Sequence, residues 1–220
     1  MFFSFLASLL FPEKCVLCRK ILQKGEVDLC HRCRIDSPEC PISKIKYPFL
    51  DKWTALWYYE GNVRGSLLRY KFSGRRAYAA SYGRMLAMKL LRENRIDVDI
   101  ITWIPISDKR KRKRGFDQVE LLAEKMSEEL SIPVIPLLRK LRDNPPQSGI
   151  TGEAQRRANV LGVYEAIHTN EIIGKRILLL DDILTTGATA GEAARVLLTA
   201  GAERVDLAAV AAAGPKKHKQ

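Results

Sequence analysis

ILLLDDILTTGAT, residues 177–189, is the stretch that decides the fold. Its four leading apolar residues, Ile177 to Leu180, have the pattern of a strand buried on both faces, as in a parallel sheet covered by helices. Asp181 and Asp182 mark the carboxyl end of that strand. Thr185, Thr186 and Gly187 make a turn, and GATAGEAARVLLTAG (187–201) reads as a helix stopped by Gly201 at the C′ position. In an open α/β sheet, ligands bind outside the carboxyl ends of the strands. A glycine-containing turn that opens a helix offers backbone N–H groups to a phosphate. The hydroxyls of Thr185, Thr186 and Thr189 add to those donors. Adjacent carboxylates repel a phosphate but accept the protons of sugar hydroxyls. Phosphate on the loop and diol on the acids describes a ribose 5-phosphate site.

Outward from this stretch the periodicity alternates. KRILLLDD (175–182) is a buried strand and RVDLAAVAAA a final one. Upstream, WTALWYY from Trp53 is strand-like and VRGSLLRYKF after Gly61 helix-like. AYAASYGRMLAMKLLREN reads as a long amphipathic helix, its methionines Met85 and Met88 as core filler. VDIITWIPI (98–106) is a strand, FDQVELLAEKMSEEL (116–130) a helix, and IPVIPLL (132–138) a short strand that its prolines confine to an edge or an irregular place. Strands alternating with helices predict an α/β fold with a parallel sheet flanked by helices.

The amino-terminal part has another character. Cys15, Cys18, Cys30 and Cys33 form two Cys-x-x-Cys pairs, CVLC and CHRC, separated by eleven residues. Each knuckle points two thiolates at one ion, and two knuckles complete a tetrahedron with no open position. A structural zinc follows, with His31 a possible substitute ligand but better read as a surface residue, and Cys40 unassigned. Five cysteines fit a secreted disulfide framework badly, and a cytoplasmic protein is expected. The expected organisation is an apolar segment (MFFSFLASLLF) and small metal-stapled zinc module over 1–50, a body over 51–214, and a basic tail over 215–220. The apolar segment lacks the basic start and cleavage site of a signal peptide, and a weak membrane-surface contact stays open for it.

The 37 Lys and Arg against 25 Asp and Glu give a formal charge of +12. That excess favours phosphate-rich ligands, nucleic acid or anionic lipid. It peaks at Lys109, Arg110, Lys111, Arg112, Lys113 and Arg114, which leave the strand ending in Pro105 at the same sheet edge as the threonine loop. Three readings stay open: a solvated loop, a neutraliser of pyrophosphate, and a track for a nucleic-acid backbone. Phe116 is the aromatic nearest the run that could stack on a base. No Ser-His-Asp set or His-Glu-x-x-His pattern is present, so hydrolase readings lack support.

The 177–189 stretch resembles the 5-phosphoribosyl 1-diphosphate (PRPP) motif of type I phosphoribosyltransferases. With four cysteines ahead of it, the chain resembles the ComF family, ComFC-like. RKRGFDQVELLA (112–123) and the set Arg142, Gln147, Arg157 and Asn159 extend the likeness, with Asp117 standing where the family usually has Asn. The resemblance implies PRPP or ribose 5-phosphate on Asp181, Asp182, Thr185, Thr186, Gly187, Ala188 and Thr189. It implies pyrophosphate at Lys71 and at the turn Pro105, Ile106 and Ser107, with Mg²⁺ accompanying PRPP. It also implies an association with DNA uptake in natural transformation and with the uptake machinery, while the +12 charge and the run Lys109 to Arg114 point to single-stranded DNA as a partner. The alternative is an active Mg²⁺-dependent phosphoribosyltransferase, because the fold hosts both enzymes and PRPP sensors.

Overall fold

The structure is a computed structural model that describes residues 12–143 and 158–214. The apolar segment 1–11, Gln147, Arg157 and the basic tail lie outside the described residues. Helices α1 to α6 are His31–Asp36, Gly61–Phe72, Tyr78–Arg92, Asp108–Arg114, Gln118–Leu130 and Ala188–Thr199. Strands β1 to β6 are Trp53–Tyr58, Ile100–Trp103, Leu138–Lys140, Tyr164–Ala166, Arg176–Leu184 and Arg204–Ala212.

Among the described residues the main sheet runs β1-β6-β5-β2, and each neighbouring pair is parallel. The deciding strand is therefore central, as its apolar run requires. Side chains alternate across it. Leu178 and Leu180 pack with Tyr70, Leu86, Leu122 and Met126 of α2, α3 and α5. Ile177 and Leu179 pack on the other face with Ala193 and Leu197 of α6 and with Leu137 and Tyr164. The expected type I phosphoribosyltransferase-like sheet, covered on both faces, is what forms. A second sheet pairs β3 with β4 antiparallel, matching Lys140 to Tyr164.

Helix α3 departs from its reading. Its buried stripe is Ala79, Tyr82, Gly83, Leu86, Ala87 and Leu90, so Met88 falls on the far side, 62% exposed, and is not core filler. Lys89 is buried instead, donating to Cys40 O at 2.7 Å and pairing with Glu39 at 3.0 Å. At Gly83 a Cβ would stand 2.9 Å from Lys125 Cβ, which explains the glycine where α3 crosses α5. IPVIPLL forms a single parallel bridge to the main sheet, Val134 to Ile101, in which Ile101 N donates to Pro133 O and Ile135 N to Ile101 O, and its last residue, Leu138, opens β3. The prolines lack the N–H a longer ladder needs.

The cysteine segment packs onto the body and shares its core. Cys15, Val16 and Leu17 are buried with Leu67, Tyr70 and Tyr82. Ser66 Oγ and Arg69 Nη2 of α2 donate to Val16 O, and Arg69 also donates to Leu17 O. Downstream, Trp53 Nε1 donates to Ile45 O at 2.8 Å.

Candidate functional site

The acids at the end of β5 point to opposite faces of the sheet, because neighbours in a strand alternate. Asp182 follows Leu178 and Leu180 to the face of α2 and α5 and is 6% exposed. Its Oδ1 pairs with Lys71 Nζ at 2.8 Å, and its Oδ2 accepts from Gln118 Nε2 at 2.7 Å. Gln118 is held in turn by Arg114, whose Nη1 donates to Gln118 Oε1, and by the hydroxyl of Tyr70, which donates to Gln118 O. Lys71, reached from the last turn of α2, is thus placed at the acid pair. Asp181 faces the other way, toward β4. Its Oδ1 accepts from the Asp182 N–H at 2.8 Å. Burial, then the charge of Asp182, pushes its carboxyl up to about 8.

The loop Thr185–Gly187 leads into α6, whose N-cap Gly187 has φ +75°. The first turn of a helix leaves its backbone N–H groups directed outward. Here they open at the same edge as Asp181, and one small cavity is lined by Asp181, Thr185, Gly187, Thr189 and Ala190 among others. Tyr47, which the sequence reading overlooks, lies against this loop. A Cβ on Gly187 would meet Tyr47 Cδ1 at 2.2 Å, and Tyr47 OH donates to Thr185 O at 3.5 Å. Nothing in the spacing around residue 47 signals this contact, because it spans 138 positions of chain.

The turn 105–107 arrives beside the acids because Trp103 is in register with Leu180 and Ile104 N donates to Leu180 O. Ser107 caps α4: its Oγ accepts from Arg110 N and donates to Asp143 Oδ1 at 2.7 Å. Asp117 caps α5 and holds the turn. Oδ1 accepts from Val119 N and Glu120 N, while Oδ2 accepts from Ile106 N at 3.0 Å. An asparagine has a single acceptor oxygen and could not serve both elements.

The basic run forms helix α4 rather than a loop, and it divides. Arg110 pairs with Asp143 at 3.3 Å, Lys111 pairs with Glu120 at 2.6 Å, and Arg114 lies over the Phe72 ring at 4.9 Å. Lys109, Arg112 and Lys113 are exposed. Their spacing places the three on one face of the helix. Phe116 cannot stack on a base as expected: it is 6% exposed, packed on Tyr70 and under Arg76. The exposed aromatic beside the run is Phe72, at 66%.

The four cysteines come together as their spacing requires. The Sγ atoms of Cys15, Cys18, Cys30 and Cys33 lie within 4.8 Å of one another, with Cys18 and Cys30 at 3.6 Å. A tetrahedral zinc with bonds of about 2.3 Å sets its sulfurs roughly 3.8 Å apart, so the cluster fits the ion. No disulfide joins them. Burial and the surrounding thiols push Cys33 up. His31 is exposed, and Cys40, buried, stands outside the cluster. A cleft of about 600 Å³ adjoins the cluster, lined by Cys18, Lys20, Arg32 and Glu60 among others, away from the β5 acids. No helix among the described residues is long and apolar enough to cross a membrane.

The model of the phosphoribosyl transferase domain matches residues 105–220, just over half of the chain. Competence protein F of Haemophilus influenzae is 24% identical over 90% of this chain and 96% of its own length. The DNA utilization protein YhgH of Escherichia coli K12 is 25% identical over 89% and 95%. Competence protein ComFC of Streptococcus pneumoniae is 31% identical over 69% of this chain and 64% of its own. Among solved structures, the glutamine PRPP amidotransferase of B. subtilis fits with a TM-score of 0.43 at 22% identity, over 64% of this chain and 30% of that one. The phosphoribosylpyrophosphate synthetase of Mycobacterium smegmatis fits at 0.38 and 22%, over 59% and 33%. The chain thus spans about a third of the length of those two enzymes. The chain belongs to the phosphoribosyl transferase domain family and is a ComF-like member of it, with a four-cysteine cluster ahead of the domain.

Proposed function

We propose that this chain binds PRPP or ribose 5-phosphate at the carboxyl end of β5 and serves DNA uptake as a cytoplasmic accessory that binds single-stranded DNA. The observation that carries the first half is the placement of Asp181, Thr185, Gly187 and Thr189 around one edge at the carboxyl end of β5. The threonine loop and the α6 N-terminus receive the 5-phosphate. Asp181 accepts hydrogen bonds from the ribose hydroxyls. Asp182 stays with Lys71 and Gln118, and that pairing cancels a charge that would otherwise repel the phosphates. The turn 105–107, clamped by Asp117, lies where the diphosphate leaves the ribose.

Magnesium suits this site as an ion carried in by PRPP, since Asp182 has both oxygens engaged and Asp181 is the carboxylate left to share it. When bound, it neutralises charge on the diphosphate. Zinc suits the four cysteines, and with four protein ligands it holds structure rather than doing chemistry. The DNA half rests on the relatives named for competence and DNA utilization, on the +12 charge, and on the outward face of Lys109, Arg112 and Lys113 beside exposed Phe72. The second reading, phosphoribosyl transfer to an acceptor, is favoured by the intact diphosphate turn.

The test is a thermal shift. A ligand at about 100 times its Kd stabilises by roughly 2.7 kcal/mol, so PRPP with Mg²⁺ should raise the Tm by several degrees. Asp181→Asn should lose that shift while remaining folded, because it leaves the Lys71–Asp182–Gln118 contacts untouched. A full shift in the variant places the ligand elsewhere. Release of pyrophosphate from PRPP on adding bases or single-stranded DNA selects the transferase reading.

A further inference from the structure

Lys71 and Phe72 end α2 side by side and go opposite ways. Lys71 turns inward to Asp182. Phe72 points out and is 66% exposed. The Arg114 guanidinium lies over its ring, 4.9 Å from the centroid. That guanidinium is itself fixed, because Nη1 donates to Gln118 Oε1 at 2.7 Å and Gln118 Nε2 donates to Asp182. A chain of contacts thus runs from the acid pair to an aromatic ring that stays in solvent. The loop after Phe72 is tied to the same place, since Arg76 Nη2 donates to Gly115 O at the end of α4 at 2.7 Å.

A single exposed phenylalanine needs no explanation by itself. This one lies between two basic stretches that hold no acid. Residues 61–77 carry Arg64, Arg69, Lys71, Arg75 and Arg76, and 109–114 is entirely basic. Arg75 and Arg76 are exposed, as are Lys109, Arg112 and Lys113. An apolar protein surface brought to Phe72 would desolvate those cations and give them no anion in return. A nucleic-acid single strand brings both complements, phosphates for the cations and a π-face for the ring. A duplex keeps its bases stacked inside and offers none. The guanidinium behind the ring holds it in one orientation, so little side-chain freedom is lost on stacking. We infer that Phe72, backed by Arg114, is a stacking platform for a nucleobase of single-stranded DNA whose phosphates follow Lys109, Arg112 and Lys113. The inference rests on the DNA half of the proposed function and names the residue that takes a base. Because Lys71 directly precedes Phe72, that base lies beside the sugar-phosphate opening, and strand and PRPP meet at one edge.

The experiment is fluorescence anisotropy of the full chain with two labelled strands of equal length, oligothymidine and the same sugar-phosphate backbone without bases. Calorimetric titration with thymidine 5′-phosphate completes the set. The parent should bind oligothymidine about tenfold more tightly than the baseless strand, the worth of roughly one stacked base. Phe72→Leu keeps apolar bulk, removes the π-face and leaves the core alone. It should erase that advantage while the baseless strand stays within about twofold and the salt slope is unchanged, because the cations remain. Phe72→Trp should restore the advantage. Equal loss on both strands, or an oligothymidine affinity that Phe72→Leu does not change, overturns the inference while strand binding by the parent leaves the DNA reading standing. Loss confined to thymidine 5′-phosphate assigns the platform to a free nucleotide and overturns the strand. A parent that binds neither strand at low salt sinks both readings.

Discussion

The cysteine cluster and the β5 edge are both built for charge, but they are assembled on different scales. The cluster takes its four sulfurs from residues 15 to 33, two knuckles whose local geometry nearly completes the site. The β5 edge draws Lys71 from α2, Gln118 and Asp117 from the start of α5, and the turn 105–107. Loss of one sulfur removes a quarter of a closed shell, whereas loss of one contact at the edge leaves the others in place. The two regions are also joined. Val16 and Leu17, inside the first knuckle, accept from Ser66 and Arg69 of α2, and Lys71 lies on the next turn of that helix.

The largest expected effect tests that junction. Structural zinc in finger peptides binds with about 10–16 kcal/mol, most of it folding energy. Cys30→Ser should lose the zinc seen by elemental analysis, lower the Tm, and weaken PRPP binding because α2 loosens. Zinc loss with PRPP affinity intact would show the two regions to be independent.

Next comes the edge alone. Burial and the Asp182 charge push the Asp181 carboxyl up to about 8, so between about 4 and 8 the folded state holds a proton that the unfolded state has released. Stability from this group is therefore lost as pH rises through that window. Without divalent ions, the parent Tm should fall relative to that of Asp181→Asn as the pH goes from 4 to 8. Parallel Tm curves for the two proteins would show that Asp181 ionises normally.

A smaller effect separates sugar phosphate from DNA. Replacing Lys109, Arg112 and Lys113 with Ala removes the outward face of α4 and leaves Arg110, Lys111 and Arg114 in their contacts. Single-stranded DNA affinity should drop several-fold, and the salt slope should flatten by about 2 if each residue neutralises one phosphate. The PRPP thermal shift should persist. An unaltered salt slope would clear this face of any DNA role. Smallest of all is Cys40→Ser, which should still yield one zinc per chain, because Cys40 contacts Pro41 O and stands outside the cluster.

Much of this was legible in the chain because it depends on near neighbours. A run of apolar residues before two acids specifies a central parallel strand, and paired Cys-x-x-Cys knuckles specify a four-sulfur cluster, since both patterns act within a few residues. Even the opposite facing of Asp181 and Asp182 is contained in the two-residue period of a strand. Tertiary structure alone decided the rest. Lys71 meets Asp182 across 111 positions, and Tyr47 meets Thr185 across 138. Lys89, in the last turn of α3, is buried because Glu39, Glu93 and the Cys40 carbonyl converge on it. Phe116 is buried and Phe72 exposed because α2 and α5 close over one and leave the other at a helix end. Such pairings follow from how helices pack on a sheet, and packing depends on all the faces at once.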